Sequence, residues 1–270
     1  MEGLGNDFVV IDAVRQEIAL TPERIRCLAD RRRGVGCDQV LMVAPASHLG
    51  ADFRYRIFNA DGTEVEHCGN GIRCLARFIR EEGLSSAGRL RIETEGRVTE
   101  VETQPDGHVA VDMGRPELEP PRIPFNAPAR ENRYRLHTSR GEVRIAAVSM
   151  GNPHAVLFVD DVQSAPVAAL GPEIERHTRF PAGTNVGFMQ VLDRGRIRLR
   201  VFERGVGETP ACGTGACAAV VAGRLADRLD PKVKVELPGG ELVINWRGEG
   251  RPVWMVGPGR TVFRGEIDLT

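Results

Sequence analysis

The residues best suited to chemistry in this 270-residue sequence are two cysteines, Cys68 and Cys212. Each stands directly before a glycine-rich step into a helical pattern: Cys68-Gly-Asn-Gly and Cys212-Gly-Thr-Gly. A thiol there lies at the positive end of a helix dipole, which favours its thiolate. The backbone N–H groups of Gly69, Asn70, Gly213 and Thr214 are placed to bind a carboxylate, as helix N-termini bind anions. Inverting a stereocentre by proton exchange needs one acid/base group on each face of the reacting carbon. Two thiols suit that task, since their ordinary pKa of about 8.5 lies near neutrality. The competing structural reading makes both cysteines buried core residues, because unpaired cysteine packs as a small hydrophobe.

The pairing follows from an internal repeat. Arg56 to Arg80 aligns with Arg200 to Arg224 at a constant shift of 144, matching Arg56, Phe58, Glu64, Cys68, Gly69, Gly71 and Arg80 to Arg200, Phe202, Glu208, Cys212, Gly213, Gly215 and Arg224. LGND at Leu4 echoes MGNP at Met150, and Thr21-Pro22 echoes Ala165-Pro166. A proline-rich passage (Pro116, Pro120, Pro121, Pro124, Pro128) reads as an extended connection between two halves. The boundary falls near Met113, giving halves 1–112 and 113–257.

Short β-rich runs (VVID, QVLMV, YRIF; AVLFV, GFMQV, IRLRVF) alternate with helices. Thr21-Pro22-Glu23 opens one helix, with threonine as cap and proline in the first turn. After Cys68, Ile72, Leu75, Ala76 and Ile79 form one apolar stripe and Gly83 stands at the stop. Ala216 to Ala222 is apolar all round apart from Cys217, so this helix should be enclosed. The expected class is α+β: two similar halves, each a curved, mostly antiparallel sheet wrapped around a central helix.

Composition narrows the function. There are 36 basic and 37 acidic residues interspersed, with no basic stripe for nucleic acid. The chain lacks an 18-residue apolar run, and its opening MEGLGNDFVVID does not read as a leader, so a soluble, cytoplasmic protein with a small-molecule partner is expected. Lys232 and Lys234, the two lysines, lie on the outer face of an alternating strand and do not look placed for a pyridoxal Schiff base. The six cysteines form no C-x-x-C pair, and neither metal nor cofactor is expected.

Other polar residues are candidates by context. Asn6, Asn59, Asn152 and Asn185 stand in GND, FNADG, GNPH and GTNVG, where asparagine usually serves the turn itself. Glu203-Arg204 takes the repeat position of Asn59-Ala60, which suits an asymmetric substrate, and Arg204 could pair with a carboxylate. His154 is placed to tune a cysteine, and His67 adjoins Cys68 but points away if the segment is extended.

Together GLGNDF, FNADGTEVEHCGNGIRC, SMGNPH, TNVGF and ERGVGETPACGTGACA closely resemble the diaminopimelate epimerase family, in order and over nearly the whole chain. The resemblance implies interconversion of LL- and meso-2,6-diaminopimelate for lysine and cell-wall precursor synthesis, with no cofactor or metal. It implies two α/β halves, the tail 258–270 returning to the first. By motif it makes Cys68 and Cys212 the acid/base pair. Asn6, Gln39, Asn59, Gly69, Asn70, Asn152, Asn185, Glu203, Arg204, Gly213 and Thr214 become substrate contacts, and His154 and Glu203 modulators of the cysteines. Departures are Glu2 where family members have histidine, His67 for glutamine, Thr214 for serine and Phe263 for a tyrosine used in dimer contact, so a homodimer is an expectation. Two further readings stay open on the residues themselves. A proline racemase or hydroxyproline epimerase would use the same paired thiols on a ring substrate. A redox or metal-binding protein would use them as a disulfide or as ligands.

Overall fold

The computed structural model describes residues 1–65 and 68–268; His67 lies outside them. Two compact units divide the chain: Met1–Asp112 with Val256–Thr270, and Met113–Met255.

In the first unit the elements are β1 (Glu2–Gly3), β2 (Asn6–Asp12), α1 (Pro22–Ala29), β3 (Gln39–Pro45), β4 (Phe53–Asn59), β5 (Glu64–Val65), α2 (Gly69–Glu81), β6 (Arg89–Thr94), β7 (Arg97–Thr103) and β8 (Val109–Asp112). Strand pairing is antiparallel except for β2 with β3 and β4 with β6. The parallel β2–β3 step is the crossover that holds α1, whose Ile25 and Leu28 pack on Val40, Met42 and Phe58. Helix α2 packs against β1, β2, β3, β4, β7 and β8. Strand β3 is thus covered on both faces, which is why Val40 to Val43 reads as an unbroken apolar run.

The second unit repeats this plan after an added strand, β9, which pairs with β10, the counterpart of β1. It comprises β9 (Tyr134–Thr138), β10 (Gly141–Ser149), β11 (Pro153–Phe158), α3 (Val167–Glu175), β12 (Asn185–Asp193), β13 (Arg196–Glu203), β14 (Gly207–Thr209), α4 (Gly213–Leu225), β15 (Lys232–Leu237) and β16 (Gly240–Trp246). A last strand, β17 (Val253–Gly257), follows. The parallel pairs, β11 with β12 and β13 with β15, fall at the equivalent steps. Helix α4 is enclosed by β10, β11, β12, β13 and β16. Burial of Gly213 and of Gly215 to Gly223 accounts for its uniformly apolar sequence. On β15, Val233 and Val235 point inward while Lys232 and Lys234 stay exposed, Lys234 pairing with Glu241 at 2.7 Å.

The matched polar residues of the repeat build the frame. Arg56 grips Glu64 through two bonds of 2.7 and 2.8 Å across β4–β5, and Arg200 grips Glu208 through 2.6 and 2.9 Å across β13–β14. Each two-pronged pair locks the short strand that leads toward its cysteine. The helix stops are duplicated as well. Leu84 N–H donates to Ile79 O and Gly83 N–H to Arg80 O; Arg228 donates to Gly223 O and Asp227 to Arg224 O. Gly83 carries the positive φ of 67° that this stop requires, and Asp227 accepts 52° in its place.

Three local features differ from the sequence expectation. Thr21 caps α1 and accepts from Arg24 N–H, but in the second unit Pro166, the echo of Pro22, takes the cap position of α3 with no side-chain bond. Pro120 and Pro121 begin a single 3-10 turn, Pro120–Arg122, because a ring without N–H is tolerated in the first turn. Arg73, which is not part of the apolar stripe Ile72, Leu75, Ala76 and Ile79, is nevertheless fully buried. It donates to Gly69 O, Asn70 Oδ1 and Pro258 O, fastening the C-terminal segment onto the helix. Arg260 pairs with Glu2, and Thr261 and Arg264 bond to Glu81 and Glu82 in the same seam.

The second glycine of each cysteine motif is a packing requirement. A Cβ on Gly71 would lie 2.2 Å from the Tyr55 hydroxyl, and one on Gly215 would lie 3.1 Å from Val201. Tyr55 is buried, and its hydroxyl has no hydrogen-bond partner among the described residues. Gly71→Ala should therefore cost about 1–3 kcal/mol of stability by overpacking, and Gly215→Ala less. Urea unfolding of both variants checks the order, and Tyr55→Phe should recover part of the Gly71→Ala loss, as a double-mutant cycle would show.

Candidate functional site

Cys68 is the N-cap of α2 and Cys212 the N-cap of α4, both in extended backbone conformation. Half-buried Cys68 accepts from Gly71 N–H at 3.4 Å, so its sulfur occupies one unsatisfied helix donor. Its thiol reaches Asn6 Oδ1 at 3.7 Å. Asn6 is in turn held by Asp38, which accepts from its Nδ2 at 2.8 Å. Arg31 fixes Asp38 by donating to both Asp7 and Asp38 at 2.8 Å. The Arg31 guanidinium holds the Asp7 carboxyl below its ordinary value. This clamp, with neither aspartate nor the arginine anticipated from sequence, orients the asparagine beside the first thiol. On the neighbouring strands Gln39 and Asn59 stand opposite each other. Gln39 Nε2 donates to Asn59 Oδ1 at 2.9 Å, and Asn59 donates to Thr63 Oγ1 at 3.3 Å. Asn70 is buried and accepts from Arg73.

Around Cys212 the environment is different. Its thiol donates to Glu203 Oε2 at 3.0 Å, while Glu203 Oε1 accepts from Thr209 Oγ1 at 2.5 Å. Thr214 Oγ1 lies 3.6 Å from the sulfur, and Asn152 Nδ2 donates to that hydroxyl at 3.4 Å. His154 Nε2 sits 3.0 Å from Asn152 Oδ1. Because Asn152 uses its amide N–H on Thr214, its Oδ1 is the acceptor, and the histidine carries its proton on Nε2. His154 is buried, and desolvation, aided by Arg204, lowers its pKa to about 3. It is a neutral residue that positions Asn152 and reaches the thiol only through Asn152 and Thr214.

The helix-dipole argument for a thiolate does not prevail at Cys212. Burial first, and the Glu203 carboxylate second, raise its pKa well above the ordinary thiol value. At rest it is a thiol. Cys37 and Cys74 are also raised by burial, Cys74 to about 12, so both are unreactive core residues.

Asn59 serves its own turn through Thr63, as its context suggested, but the other asparagines also reach beyond theirs. Asn6 and Asn152 reach toward the cysteines, and Asn59 meets Gln39 across the strand pair. Asn185 is buried, donating to Pro153 O at 3.1 Å and accepting from Arg204 N–H at 2.9 Å. Arg204 extends its guanidinium to Ala182 O at 2.7 Å, and among the described residues it makes no carboxylate pair. Strand register aligns the halves more finely than sequence did. Phe8 pairs with Gln39 as His154 pairs with Asn185, and Asn59 corresponds to Glu203. Each unit thus sets an asparagine at or just before its first long strand toward its cysteine, with Gln39 and Asn59 in one unit and Asn185 and Glu203 in the other at equivalent strand positions.

This fold is shared with solved structures that include an epimerase. A hydroxyproline epimerase from Agrobacterium vitis, solved with trans-4-OH-L-proline bound, superimposes with a TM-score of 0.67 at 20% identity, covering 97% of this chain and 89% of that one. The family itself is set by sequence. A family profile described as diaminopimelate epimerase matches residues 1–119 and 146–262. Diaminopimelate epimerases from Halorhodospira halophila and Alkalilimnicola ehrlichii are 73% and 64% identical over 269 and 271 residues, covering all of this chain and 94% and 97% of theirs. The chain belongs to the diaminopimelate epimerase family. No helix among the described residues is long and apolar enough to cross a membrane.

Two outcomes follow from these environments. In a Cys68→Ser background, Glu203→Gln should lower the Cys212 pKa and speed its alkylation at neutral pH by about tenfold, read from the pH profile of thiol modification. For His154 the folded pKa lies below the unfolded one, so its contribution is present above about pH 6.5 and is lost as pH falls toward 3. The stability of the protein should drop by at most about 1.4 kcal/mol per pH unit through this residue. Urea midpoints compared between wild type and His154→Gln at several acidic pH values isolate that slope.

Proposed function

We propose that the chain interconverts LL- and meso-2,6-diaminopimelate, with Cys68 and Cys212 as the two acid/base groups and no cofactor or metal. The observation that carries this reading is the duplicated placement of a cysteine at the N-cap of an enclosed helix, in a chain 73% identical to a diaminopimelate epimerase. Both thiols must then attend one α-carbon, one on each face. In the first direction Cys68, as thiolate, takes the α-proton, and Cys212, held as a thiol against Glu203, delivers the replacement. For the reverse direction Cys212 must lose its proton, and Glu203 Oε2, 3.0 Å away, is the nearby acceptor that assists.

The α-proton is a weak acid, so the carbanion needs donors aimed at the substrate carboxylate in a water-poor setting. The N–H groups of Gly69, Asn70, Gly213 and Thr214 at the two helix starts serve this purpose. Asn6, Gln39, Asn59, Asn152 and Asn185, with Glu203 and Arg204, hold the remaining polar groups of the substrate. His154 and Glu203 set the state of Cys212. On this reading the enzyme is cytoplasmic and homodimeric and supplies lysine and cell-wall precursors.

Incubating the reduced protein with LL-diaminopimelate in heavy water, without added cofactor, should replace the α-proton by deuterium and yield the meso isomer. Cys68→Ser and Cys212→Ser should each lower turnover in both directions by about 10²–10⁴-fold while remaining folded. Unimpaired turnover in either variant would sink the two-thiol mechanism, and exchange of trans-4-hydroxyproline instead would move the substrate to the ring class.

A further inference from the structure

The outer face of the β9–β10 hairpin carries an unusual concentration of positive charge. Tyr134 and Leu136 point into the core, which leaves Arg135 and His137 facing outward. On β10 the directly opposite residues are Arg144 for Arg135 and Glu142 for His137. Two arginines facing each other across antiparallel strands repel and weaken the pairing. Arg133, just before β9, stacks on Phe158 with its guanidinium 4.5 Å from the ring centre, and Arg228 approaches the same ring at 5.4 Å. Burial lowers the pKa of Arg133, and repulsion from Arg144 and Arg228 adds to the effect.

Among the described residues, Arg133 and Arg144 make no ion pair, and Arg135 has only Glu142 at 3.6 Å. Arg179 joins from the loop after α3, anchored by Nε to Asn126 O at 2.7 Å and by Nη1 to Arg135 O at 2.9 Å. Elsewhere in this chain of net charge −1 several arginines pair with carboxylates in tight geometry, as at Arg56–Glu64 and Arg200–Glu208. Here they converge, with His137 and His177, on an open cavity of about 730 Å³ whose lining includes one carboxylate, Glu131. That volume is within the range of small-molecule sites. None of these residues belongs to the hydrogen-bond network of Cys212.

We propose that this cavity is a second binding site, for a small oligophosphate anion. A single carboxylate would satisfy one guanidinium fork. A run of two or three phosphoryl groups offers several two-pronged acceptors in series, matching forks that come from β9, β10 and the loop after α3. Its charge also relieves the Arg135–Arg144 repulsion, so binding and hairpin stability are coupled. The concavity is bounded rather than a stripe, which fits a compact anion rather than a nucleic-acid backbone.

The probe is inorganic tripolyphosphate, titrated calorimetrically into the full-length protein at roughly physiological salt, where non-specific attraction is screened. One anion should bind per chain, and Arg144→Ala and Arg133→Ala should each weaken it by about tenfold or more. Epimerase turnover without the anion should match wild type in both variants. Without the anion Arg144→Ala should melt no lower than wild type, and the anion should raise the melting temperature of wild type alone. Absence of saturable binding, or equal binding by wild type and both variants, overturns the site.

Discussion

Everything the candidate site does depends on how closely two helix starts approach the strands beneath them. A cysteine at an N-cap can present its sulfur beside unsatisfied N–H groups only if the first helical turn lies almost against the sheet. Gly71 and Gly215 make that contact possible, since a methyl group at either position would meet Tyr55 or Val201. Close approach has a second effect. The helix behind each cysteine is walled by its own strands, so α2 and α4 are rigid floors rather than surface helices. The sulfur, the helix N–H groups and the nearby polar residues therefore hold fixed positions, and a fixed dipole is what makes a helix start useful to a developing negative charge.

Within that common frame the two halves are chemically unlike, and the differences fall where a two-base reaction needs them. Proton inversion requires one group deprotonated while the other carries a proton. A perfectly symmetrical duplication would give both thiols the same affinity. The structure breaks the symmetry with neighbours: Asn59 in one half is Glu203 in the other, Phe8 is His154, and Gln39 is Asn185. A carboxylate 3.0 Å from a buried sulfur disfavours its thiolate by repulsion and by hydrogen bonding to the thiol form. At Cys68 the Gly71 N–H donates to the sulfur, and an N–H donor stabilises negative sulfur, while the neutral Asn6 amide oxygen that accepts from the thiol repels a thiolate less than a carboxylate does.

What was legible in the sequence was whatever the duplication wrote twice. The cysteines, their glycines and the Arg–Glu pairs of β4–β5 and β13–β14 stand out because the same local geometry needs the same residues in each half. The strand and helix order was legible from periodicity, and Thr21-Pro22 marked its helix because a cap acts over one turn. Residues whose role depends on tertiary neighbours left no such trace. Arg73 sits in an amphipathic helix pattern, and its bond to Pro258 in the returning C-terminal segment is a tertiary contact that the pattern does not show. Arg31, Asp7 and Asp38 come from three separate segments, so no spacing rule joins them. Local context reads the asparagines as turn residues, which holds for Asn59 with Thr63, whereas the fold sends the amides of Asn6 and Asn185 to partners more than thirty residues away.

The protonation state of Cys212 shows why local rules were insufficient at the centre of the site. From sequence, the helix dipole is the visible influence, and it favours a thiolate. That contribution is modest, about 0.3–1 kcal/mol near a surface and up to about 2 kcal/mol in partly buried geometry. Removing a sulfur anion from water and placing it against a carboxylate opposes it with larger forces, and both follow from packing rather than from neighbours in the chain. The same dipole then acts on a different charge. With the thiol neutral at rest, the N–H groups of Gly213 and Thr214 have no anion of their own cysteine to satisfy, so on the proposed reading they serve the substrate carboxylate. A protonated cysteine at a helix start is thus better matched to binding an anionic substrate than a thiolate would be, and the helix field is kept for the charge that arrives with the substrate.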